Sequence, residues 1–223
     1  MNLNNNNKNK RFRIRDCALV RLSTGLKVQT LREFRDCLER VEAASIYHHF
    51  WGRFLQPQFD EPEYNNDFAA WAYHGLHEKA LAEKLSVIDP TEYEDIEGVR
   101  QELIERVDDY LFENESVIWA KTDDLFYFVQ SQLVVLDTGK FMCHPSELPE
   151  KLPQMPLGAI FYHFIDARRR TEQRCDDFTI WIEAFGEEFS PLVRAFRATD
   201  PYFSSLKAIR EKLSEACQAF FEE

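Results

Sequence analysis

Glycine is scarce in this chain, with only seven glycines among 223 residues. Nucleotide-binding loops and nucleophile elbows concentrate several glycines in one short segment, and neither the P-loop, the Rossmann fingerprint nor the G-x-S-x-G pattern occurs. The sequence therefore disfavours the common nucleotide-binding folds and the nucleophilic hydrolases.

Paired cysteines are absent as well. The five cysteines are an odd number without C-x-x-C spacing, and none is matched by a cysteine in the internal repeat described below. They are Cys17, Cys37, Cys143, Cys175 and Cys217. This usage is typical of reduced, buried thiols in a cytoplasmic protein and not of a disulfide or zinc framework. We therefore expect a cytoplasmic chain with no bound metal and no cofactor.

Long apolar runs and a basic charge balance are also lacking. No apolar run approaches the roughly 20 residues of a membrane span. Residues 1–11 are a polar start without an apolar signal core, and we expect them to be a disordered lead-in. A net charge of −12 argues against a general nucleic-acid binder, which needs a basic face. The partners left open are a protein or a small sugar or phosphate ligand, and the sequence does not specify the oligomeric state.

An internal duplication is the strongest feature that is present. Residues 12 to 50 align without a gap on residues 126 to 164, and the match resumes further on. A repeat of about a hundred residues indicates a duplicated subdomain, because solenoid repeats run about 20 to 50 residues. We expect repeat 1 over 12–115 and repeat 2 over 116–223, packed as one globular unit. The identical pairs include Phe12/Phe126, Thr24/Thr138, Gly25/Gly139, His49/His163, Phe50/Phe164, Asp67/Asp177, Phe68/Phe178 and Trp71/Trp181.

Each half is predicted to hold a β-hairpin followed by about four helices. Two apolar runs within residues 126–136 are separated by polar residues, which is typical of a hairpin. Gly25 and Gly139 are predicted to end the strands in turns that need a positive φ. Asp67 and Asp177 each precede a Phe-x-x-Trp stretch, and they are the predicted N-caps of the third helix of each half. The predicted fold class is α+β, predominantly helical, with an internal duplication and pseudo-twofold symmetry.

Two histidines recur at equivalent places, His49 and His163, each beside aromatic residues on a largely apolar helix. A histidine in such a place is usually buried and neutral, with a hydrogen-bond partner. Asp67 and Asp177 are the natural partners, one loop later in each half. One interpretation is that each pair ties two helices together. The other is that all four side chains converge, where they could bind a divalent metal or act as an acid–base pair.

Two further features could contribute to binding. Trp71 and Trp181 lie just past the predicted caps and are expected in the core, with stacking against a sugar as the alternative. The run Arg168-Arg169-Arg170 is the one basic cluster of an acidic chain. Arginine forks bind carboxylates and phosphates in two-point contacts, so this run either pairs with nearby aspartates or holds a phosphate or sugar phosphate. The first repeat keeps a single arginine there, so such a site would be asymmetric.

The segment Phe126–Trp181 combines a strand pair ending in Thr-Gly, a helix, the stretch Ile-Phe-Tyr-His-Phe, an arginine-rich stretch and Asp-Asp-Phe-x-x-Trp. This pattern resembles a prokaryotic domain-of-unknown-function family, and the resemblance extends over nearly everything from Phe12 onward. The family has no established activity to transfer. Its members resemble accessory modules sometimes attached to glycosyltransferase-like domains, which implies a link to carbohydrate metabolism.

Two functions from different classes follow from these observations. The sequence favours a non-enzymatic binding or interaction module, accessory to a sugar-handling enzyme, with a ligand cleft between the repeats. The alternative is an enzyme that uses the duplicated His/Asp set for acid–base or metal-assisted chemistry. The residues expected to line the cleft are His49, Asp67, Trp71, His163, Arg168, Arg169, Asp177 and Trp181.

Overall fold

Two long strands form the sheet of the protein. The computed structural model describes residues 11–56, 63–114, 117 and 121–222. Strand β1 spans Phe12–Val28 and strand β2 spans Phe126–Met142, and they pair in a two-stranded sheet. The hydroxyl of Thr24 donates to the carbonyl of Phe128, and that of Thr138 donates to the carbonyl of Ile14. Residue numbers rise along one strand as they fall along the other, so the strands are antiparallel.

Helices make up most of the remaining described chain. Five follow β1 and six follow β2 among the described residues, and 3-10 turns extend several of them. They are α1 (Leu31–Leu38), α2 (Ala43–Trp51), α3 (Asp67–His74), α4 (Lys79–Ser86), α5 (Ile96–Glu113), α6 (Leu148–Lys151), α7 (Leu157–Ile160), α8 (Ala167–Arg170), α9 (Asp177–Glu183), α10 (Ser190–Arg197) and α11 (Leu206–Glu222). A π-helical segment, Phe161–Asp166, joins α7 to α8 without a break.

The chain divides into two compact units, and the division cuts both strands. One unit is Leu19–Leu133, which we call the continuous unit. The other, called the split unit, combines the chain up to Ala18 with Val134–Glu223. The start of β1 therefore packs with the helices of repeat 2, and the start of β2 packs with those of repeat 1. The compact units thus differ from the sequence repeats 12–115 and 116–223, because each repeat lends the first part of its strand to the other unit.

Aromatic side chains fill the core of the continuous unit. Helix α1 begins at the capping box of Thr30 and Glu33, and its buried face includes Phe34. The ring of Phe34 lies 5.4 Å from that of Phe126 on β2 and 5.6 Å from that of Phe68 on α3, both edge-on. Such edge-to-face contacts stabilise a core beyond the effect of area burial alone.

The core of the split unit repeats this arrangement. The ring of Phe12 on β1 stacks on Phe178 of α9 at 4.9 Å and lies 5.3 Å from Trp181. Phe161 and Phe164 of the π-helical segment are fully buried. Equivalent residues of the duplication therefore occupy equivalent places in the two units, Phe12 taking the place of Phe126.

The structure confirms an α+β, predominantly helical fold, and it corrects the strand prediction. Each repeat contributes one continuous strand of 17 residues instead of a hairpin. Residues 130–132 continue the strand because they contain no glycine, proline or asparagine to supply a tight reversal. Gly25 and Gly139 do have positive φ, 77° and 69°, but the strands run on beyond them. A glycine of this conformation inside a strand is the geometry of a β-bulge.

Two helix starts also differ from prediction by one residue. The N-caps are Asn66 and Asp176, whose side chains accept from the amides of Ala69 and Thr179. The predicted caps, Asp67 and Asp177, are instead the first helical residues. In each half a capping residue type also stands one position earlier, and it is this earlier side chain that reaches the free amide. Except for Arg11, the expected lead-in lies outside the described residues. Within the described chain, no helix is long and apolar enough to cross a membrane.

Candidate functional site

Each unit contains one His–Asp pair between a helix and the next helix. In the continuous unit, His49 Nδ1 lies 3.0 Å from an oxygen of Asp67, and Nε2 lies 3.1 Å from the backbone nitrogen of Val129. In the split unit, His163 Nδ1 lies 2.8 Å from Asp177 Oδ2, and Nε2 lies 2.9 Å from the backbone nitrogen of Arg15. Both imidazoles are buried. Each pair therefore ties a helix to a second helix and to a strand.

The hydrogen bonds define the tautomer of both rings. A backbone N–H can only donate, so Nε2 of His49 and of His163 must accept. The remaining proton lies on Nδ1 and is donated to the carboxylate. Burial lowers the pKa of His163, and the nearby Asp177 opposes this shift. With both ring nitrogens occupied, neither imidazole has a free lone pair for a metal or a substrate proton.

One group of side chains in the continuous unit has the spacing of a metal site. Ligand atoms of His48, His49 and Asp67 lie within 4.8 Å of one another. Burial, and then the electrostatic effect of the adjacent His49, lowers the pKa of His48 to about 4, and its Nδ1 contacts the hydroxyl of Ser131. To bind a metal through Nδ1, His49 would have to turn an N–H towards the amide of Val129. These residues therefore do not fit a metal ion.

The two His–Asp pairs belong to different compact units, and each is satisfied within its own unit. His49, Asp67 and Trp71 lie in the continuous unit, and His163 and Asp177 lie in the split unit. The pairs are hydrogen-bonded as structural ties, which is the first of the two interpretations above. The contacts within each unit supply no argument for a four-residue site.

A cavity of about 740 Å³ opens beside the His–Asp pair of the split unit. Its lining includes four arginines and a single carboxylate, that of Asp177. A wall of apolar side chains completes it. The full lining is Arg11, Phe12, Arg13, Arg15, Tyr162, His163, Arg170, Asp177, Ile180, Trp181 and Ala184. Pockets of this size hold small molecules in many proteins, and this one is strongly positive.

Three of the arginines come from alternate positions of the chain that enters and begins β1. Side chains alternate across a strand, so Arg11, Arg13 and Arg15 share one face while Phe12 and Ile14 point to the core. All three arginines are exposed, and none forms an ion pair with a carboxylate among the residues the structure describes. Their charges therefore remain available to a ligand.

The fourth arginine is held rigidly in place. Arg170 Nε donates to the buried carboxylate of Asp166 at 2.8 Å, and its NH2 group donates to the carbonyl of Tyr162 at 2.8 Å and to Asp177 at 3.1 Å. The guanidinium also stacks on the ring of Tyr162, 4.0 Å from its centroid. The hydroxyl of that tyrosine accepts from Arg15 at 3.3 Å. This network fixes one cationic wall of the cavity before any ligand arrives.

The π-helical segment is what presents these groups. Tyr162, His163 and Asp166 all lie within Phe161–Asp166, whose counterpart in repeat 1 is regular helix α2 and the turn that follows it. π-helical turns are rare and are often found at functional sites. The two copies of the duplicated helix therefore differ in geometry where the cavity lies.

The structure brings three of the predicted site residues to the cavity and places the others elsewhere. His163, Asp177 and Trp181 line the cavity, although Trp181 is only 8% exposed and serves mainly as core, as does Trp71. The remaining predicted residues, namely His49, Asp67, Trp71, Arg168 and Arg169, do not line it.

The first two arginines of the basic run have local partners instead. Arg168 donates to the carbonyl of Phe164 and lies 3.9 Å from the capping carboxylate of Asp176, and Arg169 pairs with Asp166. Arg170 is the member of the run that reaches the cavity. The strand arginines were missed because charged residues that alternate with apolar ones usually indicate only the solvent-exposed face of a strand. Their signal is the run Arg-Phe-Arg-Ile-Arg, which puts three cations on one face.

Cysteine chemistry is not supported at this site. The thiol of Cys17 donates to the carbonyl of Gly158 at 3.1 Å. Burial, together with the charges of Asp166 and Asp16, raises its pKa to about 12. A thiol of that pKa is not a nucleophile at neutral pH. All five cysteines are free, and four of them are buried.

The protein is α+β and predominantly helical, and each compact unit contains a His–Asp tie. The chain belongs to a family of unknown function, DUF5752, whose model matches residues 9–218. No curated protein matches it. Among solved structures, it is similar to OrfY from Thermoproteus tenax, at 21% identity with a TM-score of 0.79 and 96% of each chain covered. At this identity the likeness shows the fold alone.

Proposed function

We propose that this protein is a non-enzymatic binding module that holds a small anionic ligand in the cavity of the split unit. The observation that carries the proposal is the charge balance of the lining, four arginines against one carboxylate. That carboxylate already serves His163 and Arg170. An anion such as a phosphate would supply the missing negative charge.

The chemistry of the arginines favours an oxyanion. The planar guanidinium presents several N–H donors in a fork that matches phosphate and carboxylate oxygens. The hydrogen bonds of Arg170 to Asp166 and Tyr162 restrict its freedom, so less entropy is lost when a ligand binds. Arg13 is exposed and supplies a second guanidinium to the cavity from β1.

A role without catalysis fits the state of the titratable groups. Both nitrogens of His163 are engaged, so a general-base role would require the ring to release the amide of Arg15. The same holds for His49 and the amide of Val129. The rival function, an enzyme using the duplicated His/Asp set with or without a metal, would have no free imidazole nitrogen at His49 or His163 to act as the base.

The cavity draws on both halves of the duplication. The lining residues come from both sequence repeats, with Arg11 to Arg15 from repeat 1 and Tyr162 to Ala184 from repeat 2. This supports a ligand cleft built from both repeats.

We further propose that the module acts in the cytoplasm, where its five free thiols stay reduced, as an accessory to an enzyme of carbohydrate metabolism linked to a glycosyltransferase.

Isothermal titration calorimetry with inorganic phosphate, citrate and glucose 6-phosphate tests the proposal. At least one of these anions is expected to bind the full chain, more weakly at high salt. Arg13→Gln is expected to weaken binding about tenfold or more, because hydrogen bonds to charged groups contribute about 1.5–3 kcal/mol. Arg32→Gln, an exposed arginine of α1 in the continuous unit, is the matched control. Binding of none of the anions, or equal effects of the two variants, would overturn the proposal.

A further inference from the structure

We infer that the ligand is a phosphorylated sugar, bound once per chain, with its phosphate on the strand arginines and a hydroxyl on Asp177. This inference rests on the proposed anion-binding function and names the class of ligand. It draws on three observations: a carboxylate oxygen with no donor among the described residues, an apolar part of the cavity lining, and different residues at the equivalent positions of the other unit.

The carboxylate of Asp177 is only half used. Oδ2 accepts from His163 and from Arg170. Oδ1 has no hydrogen-bond donor among the residues described, and the side chain is 23% exposed at the cavity. A carboxylate oxygen repels a phosphate but accepts a hydrogen bond from a hydroxyl. A ligand that satisfies both the arginines and Asp177 therefore carries an anionic group and a hydroxyl group on one small body.

The apolar wall adds a second requirement. Ile180 on α9 is partly exposed, Ala184 just after the helix is exposed, and the mostly buried Trp181 also lines the cavity. Together they offer an apolar surface next to Asp177, which is one turn earlier. A sugar ring has C–H groups on its faces and hydroxyls at its edge, so it matches an apolar wall beside a carboxylate. Inorganic phosphate would leave this wall in contact with water.

The duplication provides an internal comparison. The positions equivalent to Arg11, Arg13 and Arg15 are occupied in repeat 2 by Leu125, Tyr127 and Val129. In the continuous unit the second oxygen of Asp67 is approached by Arg53 at 3.5 Å, so it is not open as in Asp177. At the positions described, that unit keeps the His–Asp tie but has neither the three strand arginines nor an open oxygen on its aspartate. We therefore expect one ligand per chain.

Calorimetry on the full chain compares four hexose monophosphates with two simpler anions. The sugar phosphates are glucose 6-phosphate, glucose 1-phosphate, mannose 6-phosphate and fructose 6-phosphate, and the comparison ligands are inorganic phosphate and phenyl phosphate. At least one sugar phosphate should bind about tenfold or more tightly than both, because a hydroxyl–carboxylate hydrogen bond is charge-assisted. The stoichiometry should be one. Phenyl phosphate controls for a ring without hydroxyls.

Asp177→Asn, with Asp67→Asn as the matched control, locates the effect. Both variants alter a His–Asp tie, but only the first changes the cavity. Asp177→Asn should reduce the preference for the sugar phosphate over inorganic phosphate towards one, and Asp67→Asn should leave it unchanged. Equal binding of all phosphates by the wild-type chain, or two ligands per chain, would overturn the sugar assignment while the anion site stands. Binding of no anion at all would remove both.

Discussion

His163 accepts a hydrogen bond from the backbone amide of Arg15 at 2.9 Å, across 148 positions of the sequence. The bond joins a strand of repeat 1 to a helix of repeat 2 within one compact unit. It also holds in place a residue whose side chain lines the basic cavity. His49 makes the equivalent bond to Val129 in the other unit. The duplicated histidines thus attach each strand to the helices of the opposite repeat.

Replacing either histidine should destabilise the fold. His49→Ala and His163→Ala each remove a buried ring and leave a backbone amide and a carboxylate without their partner. We expect each to lower the free energy of unfolding by about 2–4 kcal/mol. Urea denaturation followed by circular dichroism measures the loss.

His74→Ala is the control for this comparison, because the side chain of His74 is 59% exposed and lies at the end of α3. Its effect should stay within about 0.5 kcal/mol. Wild-type stability in His49→Ala and His163→Ala would show that the two ties contribute nothing to the fold.

Stability should fall as the pH drops below 6.5, in part because of His48. The pKa of this buried imidazole is lowered from an ordinary 6.5 to about 4, chiefly by burial and then by the electrostatic effect of the adjacent His49. Between these values the unfolded chain binds more protons than the folded one, so acid favours unfolding in that window. Melting temperatures of wild type and His48→Gln between pH 7 and pH 4 test this expectation.

Carboxylates also titrate in this range, but they are common to both proteins, so the difference between the two curves isolates His48. The wild-type curve should fall more steeply than that of His48→Gln below pH 6.5. Parallel curves would contradict the prediction.

Gly158→Ala should be poorly tolerated. A Cβ at this position would lie 2.2 Å from Asp16 Oδ1 and 2.4 Å from the carbonyl oxygen of Cys17. One of these atoms belongs to the backbone, so the strand itself would have to move, at a cost of about 2 kcal/mol. Repeat 1 has Ala44 at the equivalent position, which makes the requirement specific to the split unit. A melting temperature equal to that of wild type would refute the close approach.

Gly25→Ala and Gly139→Ala should each destabilise the fold, for a reason that differs from that at Gly158. A Cβ at either glycine meets nothing within 4 Å, so space is not the obstacle. The cost is the positive φ, about 1 kcal/mol for an L-residue. Gly98→Ala is the control, since Gly98 lies in α5 with an ordinary contact at 3.4 Å, and alanine there should be neutral or stabilising. Equal effects of all three variants would contradict this explanation.

Local signals in the sequence predicted the helices and the pairing of histidine with aspartate well. The capping box at Thr30 and the apolar stripe containing Phe34 depend only on neighbours within a few residues. The His–Asp contacts span short loops, so spacing alone suggested them. The strand path could not be predicted in this way. Hydrophobic alternation reports that a segment is a strand, but it does not say which helices the strand covers.

The cavity was only partly predictable for the same reason. His163, Asp177 and Trp181 belong to the repeat signature, and all three line the cavity. The strand arginines lie some 150 residues earlier, and only the exchange of strands between repeats brings them to that signature. The predicted basic run contributed Arg170 alone, because the side chains before it turn to buried carboxylates.

The division of β1 has a consequence for synthesis of the chain. The continuous unit is complete when residue 133 has been translated. In the split unit, the start of β1 cannot pack fully until the last helix, which ends at Glu222, has been translated. At about 5–20 residues per second this wait lasts roughly 10 to 40 seconds. Phe12 and Ile14 remain uncovered during that time. The arginines on either side of them are the kind of gatekeeper that keeps a waiting apolar strand from aggregating, so the same charges would protect the nascent chain first and serve the pocket afterwards.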